Sequence, residues 1–126
     1  MGRVEGGAPV TCITLPWPPL SGNHQHGQNS GRRFLRREIR VYRAEVWSIL
    51  AQTPRLEPPV ALEIVLHPPD KRRRDADNVL KVLMDAIVAS GWLRDDSNRV
   101  IQQSCHDWGE PVRGGKVVIS AREVGV

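Results

Sequence analysis

Four segments of the chain have the apolar alternation or short apolar run that is typical of β-strands. They are VTCITLPWPP, VALEIVLHPP, VIQQSCHDW and KVVISAREV, which begin at residues 10, 60, 100 and 116. Prolines end the first two segments, because proline cannot donate a hydrogen bond to a sheet. The last two are separated by GEPVRGG, which predicts a hairpin-like connection between two final strands.

Apolar residues at three- and four-residue spacing predict two amphipathic helices. The first has an apolar stripe of Leu35, Ile39, Tyr42, Val46, Ile49 and Leu50, and its other face carries Arg36, Arg37, Arg40 and Arg43. The second is predicted from Ala76 to Ser90 and is ended by Gly91. Its predicted buried stripe is Val79, Leu80, Leu83, Ala86 and Ile87.

The resulting order β-α-β-α-β-β predicts an α/β (α+β) domain with one small mixed sheet and two main helices. Residues 1–9 are expected to form a flexible tail, and residues 10–126 a single domain. The polar segment LSGNHQHGQNSGRR, residues 20–33, is predicted to be a long functional loop. Trp17, Trp47 and Trp92 are predicted to pack, and for Trp108 packing is favoured over stacking on DNA.

Composition narrows the class of protein. With 40% hydrophobic and 25% charged residues, the chain has the balance of a globular domain. No segment approaches the ~20 apolar residues of a membrane span, and the N-terminus has no signal-peptide pattern, so we expect a cytoplasmic protein. Its two cysteines, Cys12 and Cys105, are predicted to be buried reduced thiols.

The net charge of +4 is unevenly distributed. Six arginines lie in residues 32–43 and four consecutive cations in residues 71–74, whereas all seven aspartates lie in residues 70–107. Clustered arginine is typical of phosphate-backbone binding. A basic chain that contains an acidic cluster favours a nucleic acid and a metal ion over a plain DNA-binding surface.

The acids around the second helix have two possible roles. Asp75 and Asp77 could cap the helix and complement its dipole. A cap needs one acid, however, and the chain has two at i and i+2, followed by Asp95 and Asp96 after the helix. Magnesium takes carboxylate oxygens as ligands, so Asp75, Asp77 and Asp96 form a plausible metal site. Lys81, one turn beyond Asp77, could neutralise charge on a scissile phosphate.

Five segments in order, from Ile13 to Ile119, carry a family resemblance. They are ITLPWPP, GRRFLRREIRVYRAEV, PDKRRRDADNVLKVLMDAI, GWLRDDSNRV and WGEPVRGGKVVI. Together they resemble the RusA-type Holliday junction resolvases, which are small phage-derived endodeoxyribonucleases. The most specific part is the basic run followed by Asp-x-Asp-Asn, a lysine three residues later, and then Asp-Asp.

The resemblance implies a set of functional residues and properties. The family's catalytic, metal-binding carboxylates fall on Asp75, Asp77 and Asp96, its catalytic-site lysine on Lys81, and an important basic residue on Arg74. It also implies magnesium dependence, a homodimer, and paired nicks in opposite strands of a four-way junction. Further candidate DNA contacts are Asn23, Arg32, Arg33, Lys71, Arg72 and Arg73.

Three functional classes are compatible with these patterns. The first is a magnesium-dependent endonuclease selective for four-way junctions. The second is a non-catalytic protein that binds branched DNA, in which the acids only cap a helix. The third is a metal-dependent nuclease that acts on other DNA or RNA structures. The clustered acids argue against the second class, because they would weaken DNA binding if no metal neutralised them.

Overall fold

The computed structural model describes residues 9–19, 26–29 and 32–125. Its elements are β1 (Thr11–Pro16), β2 (His26–Asn29), β3 (Arg32–Leu35), α1 (Arg37–Leu50), β4 (Val60–His67), α2 (Ala76–Ser90), β5 (Ile101–Trp108) and β6 (Lys116–Glu123). Apart from β2 and β3, the order is the predicted β-α-β-α-β-β. The prediction of an α/β (α+β) fold with a mixed sheet and two main helices is confirmed.

A separate two-stranded hairpin occupies part of the segment predicted to be a loop. Strands β2 and β3 pair antiparallel, from His26 with Leu35 to Asn29 with Arg32. The loop prediction for residues 20–33 was therefore wrong for these strands. Their sequences have no alternation of apolar and polar residues, and hairpin hydrogen bonds join backbone groups that any sequence provides. The predicted tail, residues 1–9, lies outside the described residues apart from Pro9.

The main sheet has the strand order β1-β6-β4-β5. Strand β6 pairs antiparallel with both β1 and β4, whereas β5 pairs parallel with β4. Strand β4 thus lies between the last two strands, and the predicted hairpin between them is wrong. The GEPVRGG segment instead crosses the end of β4, where Gly109 N–H donates to Leu66 O at 2.8 Å and Val112 N–H donates to Pro68 O at 2.9 Å.

One face of this sheet, which we call the inner face, packs against both helices. Its side chains alternate along each strand, as in Ile13 and Leu15 of β1 and Val117 and Ile119 of β6. The helices contribute the complementary buried residues Ile39, Tyr42, Val46, Leu50, Val79, Val82, Leu83, Ala86 and Ile87. Both predicted stripes are thus largely confirmed, but Leu35, Ile49 and Leu80 are only partly buried, and Leu80 borders an open cavity.

Helix α2 begins and ends where the sequence predicts. Gly91 follows it with φ of 83°, the left-handed conformation that glycine adopts at a helix end, and its N–H donates to Val88 O at 3.0 Å. Because β4, α2 and β5 form a parallel crossover, the N-terminus of α2 lies near the end of β4. Neither helix in the described part of the chain is long and apolar enough to cross a membrane.

The predictions for the two cysteines and for Trp47 differ from the structure. Both cysteines are free thiols, as predicted, but they are exposed rather than buried. Cys12 and Cys105 lie on the outer face of the sheet, opposite the helices, and no described element covers that face. Trp92 is buried, but Trp47 is 57% exposed on α1 and Trp108 is 44% exposed at the end of β5, so the predicted packing is wrong for Trp47.

Candidate active site

The candidate site lies where three parallel strands end. Strands β1, β4 and β5 run in the same direction because both β1 and β4 are antiparallel to β6. Their carboxyl ends therefore lie at the same end of the sheet, and the N-terminus of α2 lies at this end. In sheets of this kind, ligands bind outside the carboxyl ends of the strands. Residues 68–75 connect β4 to α2 and contain the basic run.

One ion pair fixes the shape of the basic segment. The Asp70 carboxylate accepts a hydrogen bond from Arg72 N–H at 2.9 Å and pairs with Arg74 Nη1, also at 2.9 Å. Arg74 Nη1 additionally donates to the carbonyl oxygens of Asp70 and Arg72 at 3.2 Å. The hydrogen bond from Arg74, followed by that from Arg72 N–H, lowers the pKa of Asp70. Arg74 therefore links the two ends of this segment, and its predicted contact with DNA phosphate stays a prediction.

The other cations of the run extend into solvent. The Arg72 side chain is 84% exposed and makes only a long ion pair of 3.7 Å with Asp70, whereas the Arg74 side chain is 20% exposed. Lys71 and Arg73 are also exposed. Lys71, Arg72 and Arg73 are thus available to a phosphate backbone, and Arg74 orients the segment that carries them.

Asp75 and Asp77 face one open cavity of about 480 Å³. Asp75 occupies the N-cap position of α2, yet its side chain makes no capping hydrogen bond. Both aspartates are exposed, and neither is in an ion pair within the part of the chain that the structure describes. The capping role is therefore not realised by Asp75, and both carboxylates are open to a ligand at the positive end of the helix dipole.

Asp96 borders an adjoining cavity of about 290 Å³, next to Leu80 and Met84 of α2. His106 lines both cavities and is the wall that they share. Within residues 9–19, 26–29 and 32–125, no three His, Cys, Asp or Glu side chains are close enough together to hold a metal ion. The structure thus brings Asp75 and Asp77 together and leaves Asp96 beside them, not among them.

The neighbouring Asp95 has a different role from Asp96. Its carboxylate accepts a hydrogen bond from Ser97 N–H at 2.8 Å and pairs with Arg94 Nε at 3.6 Å. Hydrogen bonds from Ser97 lower the pKa of Asp95. Asp95 therefore shapes the turn before β5, and the exposed Asp96 carboxylate is the one available for chemistry.

Three other predicted site residues, Lys81, Arg32 and Arg33, lie in the described part of the chain. Lys81 Nζ is 3.4 Å from Asp85 Oδ2, an exposed pair that holds the ammonium toward the C-terminal half of α2, whereas Asp77 lies one turn toward the N-terminus. Arg32 and Arg33 belong to β3 of the hairpin. Asn23 lies outside the described residues.

Comparison with known proteins identifies the family of the chain. Residues 16–120 match the family model described as Endodeoxyribonuclease RusA. The chain belongs to this family. A RusA-family relative named crossover junction endodeoxyribonuclease RusA, from Escherichia coli strain K12, is 36% identical over 121 residues, covering 90% of this chain and 94% of the relative. A relative from Enterobacteria phage 82 has the same name, identity and coverage.

A solved structure, the periplasmic domain of Helicobacter pylori MotB, covers 98% of this chain and 78% of its own with a TM-score of 0.41 and 10% identity. A likeness at that level supports no statement about fold or function. Membership of the RusA endodeoxyribonuclease family, by contrast, confirms the predicted resemblance and favours DNA binding and a divalent metal cofactor.

Two residues of this RusA-family site were not predicted from the sequence. His106 pairs with Ile64 in the parallel register, which puts its side chain on the inner face beside the acids. Trp17 forms part of a second cavity that also includes Asp75. In a strand, alternate residues lie on one face, so Ser104, His106 and Trp108 of β5 were predictable as neighbours on one face of the sheet. The sequence does not show that this face is the inner one.

Proposed function

We propose that this protein is a magnesium-dependent endodeoxyribonuclease that resolves four-way DNA junctions by paired, symmetric nicks. The observation that carries the proposal is the pair of exposed carboxylates, Asp75 and Asp77, which face one cavity at the start of α2 beside a fixed basic segment. Membership of the RusA family supports it, since the relatives are named crossover junction endodeoxyribonucleases. A helix cap would have its carboxylate hydrogen-bonded to backbone N–H groups, which Asp75 is not.

The donor set fits a hard divalent cation. Magnesium prefers carboxylate oxygens and retains several waters, so a few exposed acids on an open cavity suit it better than a closed cage. We propose Asp75 and Asp77 as ligands, with Asp96 of the adjoining cavity as the third. Magnesium supplies water activation and polarisation of the phosphoryl group when it is bound at such a site.

The chain's own residues would bind and orient the DNA. Lys71, Arg72 and Arg73 extend from the segment that Asp70 and Arg74 fix, so they can hold the backbone on both sides of the scissile phosphate. Lys81 is the proposed stabiliser of charge on the leaving oxygen. It must exchange its Asp85 partner for the phosphate, and a single exposed ion pair costs little to break.

A homodimer is the proposed assembly. A four-way junction presents two equivalent strands, and a two-fold symmetric dimer supplies one active site for each. Among the described strands, β5 pairs with β4 alone, which leaves the backbone groups on its other side open at one lateral edge of the sheet. Light scattering should give twice 14.1 kDa, and a monomeric mass at micromolar concentration would contradict this part of the proposal.

The decisive experiment compares two labelled substrates, a four-way junction and linear duplexes of the same sequence, each with and without magnesium. We expect paired nicks at symmetric positions only in the junction, only with magnesium, and with products that ligase can seal. Equal cutting of the duplex would favour a nuclease of broader substrate range, for which flaps and RNA are the next substrates to compare. Binding with no cutting under any metal would favour the non-catalytic alternative.

A further inference from the structure

A second cavity, of about 600 Å³, shares Asp75 with the candidate active site. One part of its wall is apolar and consists of Trp17, Pro18, Pro19 and Pro69. Another part is charged and consists of Arg73, Arg74 and Asp75. A pocket with an aromatic wall and a few convergent charges is typical of a small-molecule or nucleotide site.

Trp17 of this wall contacts a second tryptophan, Trp108, which does not itself line the cavity. Trp17 follows β1 and Trp108 ends β5, and their ring centroids are 6.4 Å apart at an interplanar angle of 41°. Arg74 Cζ lies 5.9 Å from the centroid of the Trp17 ring. The same guanidinium therefore contacts the aromatic wall and, through Asp70, fixes the basic segment.

The aromatic wall is held in place by its surroundings. The Tyr42 hydroxyl donates to Pro16 O at 2.8 Å and anchors the chain just before Trp17. On the other side, Gly115 has φ of 72°, and a Cβ there would lie 2.8 Å from Trp17 Cβ. Only glycine fits this close approach, so the backbone of residue 115 lies directly against Trp17. The wall exists before any ligand binds.

Packing alone does not account for Trp108. Its side chain is 44% exposed, and unlike the similarly exposed Trp47 it contacts the tryptophan of the cavity wall, so part of its ring is open beside that wall. Trp108 is paired with Leu66 in the parallel register, so it points to the inner face, the side on which Asp75 lies. Its ring therefore lies on the same side of the sheet as the candidate active site.

We propose that Trp17 and Trp108 form a stacking site for one unstacked nucleobase of the junction. This base would lie next to the scissile phosphate at the candidate active site of Asp75. This inference rests on the proposed function. Every base has a π-face that can stack on an aromatic ring, and Arg73 and Arg74 can hold the attached phosphate. Unstacking costs least where a base has already lost a regular neighbour, as at a branch point. The pocket would thus help to distinguish a junction from an intact duplex.

The test pairs a change in the protein with a change in the DNA. The substrates are junctions that carry one abasic nucleotide, placed in turn at each of the three positions on either side of the mapped cleavage sites. Their affinity for wild type and for Trp108→Leu is measured without metal. Trp47→Leu is the matched control, because Trp47 is similarly exposed but lies on α1. Melting temperatures of all variants verify that they fold.

We expect one abasic position to weaken binding by wild type and by Trp47→Leu at least about five-fold, the lower end of base–aromatic stacking. Trp108→Leu should bind the intact junction more weakly and lose this penalty, whereas Trp108→Phe should keep it. An equal abasic penalty in wild type and Trp108→Leu at every position would overturn the stacking site, as would its loss in Trp108→Phe. Junction cleavage by wild type tests the proposed function separately, so the two failures are distinguishable.

Discussion

Aspartates make the same kinds of contact in the two segments on either side of α2, residues 68–75 and 94–99. In each, one aspartate accepts a hydrogen bond from the backbone N–H two residues later and pairs with a nearby arginine. In each, a following acid is left exposed. The two ion pairs differ in length and exposure: Asp70 pairs at 2.9 Å with an Arg74 that is 20% exposed, whereas Asp95 pairs at 3.6 Å with a mostly exposed Arg94.

This difference suggests that the site has a fixed half and an adjustable half. The fixed half presents Asp75 and Asp77 to one cavity, and the adjustable half places Asp96 beside it. The acids of one charged cluster therefore have two roles. Some accept hydrogen bonds from the backbone and shape it, and the others stay open to a ligand. Each of the following experiments separates the two kinds of residue.

The largest effect is expected for Asp77→Asn, which keeps the side-chain volume but removes a charge from the open pair. Loss of metal affinity should reduce cleavage at least about 100-fold, as for removal of a key electrostatic group. Junction binding without metal should hold or tighten, since phosphates meet less repulsion, and stability should change by about 1 kcal/mol or less. Cleavage assays, gel shifts and melting curves measure these three quantities.

Glu63→Gln is the matched control for that experiment, because Glu63 is an exposed acid of β4 on the outer face of the sheet. It should cleave at the wild-type rate. Wild-type cleavage by Asp77→Asn as well would remove Asp77 from the active site and return it to a structural role.

A smaller effect is expected for Asp70→Asn, which weakens the contact that fixes the basic segment. Cleavage should fall about ten-fold, the scale seen when a residue that positions active-site groups is removed. Asp95→Asn should cost less, since its arginine pair is longer and more exposed. Single-turnover cleavage rates compare the two variants, and a greater loss in Asp95→Asn would reverse the assignment of fixed and adjustable halves.

The exposed cations should determine the salt dependence of binding. Each phosphate contact contributes about −0.9 to the slope of log K against log salt, so Arg72→Ala with Arg73→Ala should reduce the slope by about two. A control with the same charge change is Arg55→Ala with Arg122→Ala, since Arg55 follows α1 and Arg122 lies on the outer face. The slope should be unchanged in this control. Equal slopes in both double variants would place the DNA elsewhere.

The smallest effect concerns stability in acid. Hydrogen bonds from Arg74 and Arg72 lower the pKa of Asp70, so the folded state binds its proton less readily than the unfolded state does. This stabilisation is present above the unfolded pKa of about 3.9 and is lost as pH falls through the lower folded value. Melting temperature from pH 5 to pH 2 should therefore fall less steeply in Asp70→Asn than in wild type. Identical profiles would show that the contact contributes nothing to folding.

The sequence predicted the helices more accurately than the sheet, for a physical reason. The limits of α2 depend on local periodicity and on Gly91, both of which can be read from adjacent residues. Strand order depends on which distant segment pairs with which, and the glycines of residues 109–115 suit a hairpin as well as a crossing over β4. The polar strands β2 and β3 had no apolar alternation to indicate them.

The site shows the same limit. Two acids at i and i+2 at a helix start predict a shared location, and Asp75 and Asp77 do share a cavity. Which acids are tied to backbone groups is a matter of loop conformation, so the role of Asp70 could not be deduced from the run DKRRRD. His106 became visible only when the parallel pairing of β5 put it between the two cavities.

The two exposed cysteines give the protein a practical property. Cys12 and Cys105 lie in one row across the sheet, connected by the pairs Cys12–Ser120, Ser120–Glu63 and Glu63–Cys105. Three strand spacings separate them by about 14 Å, too far for a disulfide. Cys12 faces away from the helices and from Asp75, whereas Cys105 also lines the cavity that Asp96 borders. Cys12 is thus the natural attachment point for a fluorescent dye, and a version in which Cys105 is replaced would report the distance to labelled junction arms while the candidate site stays unmodified.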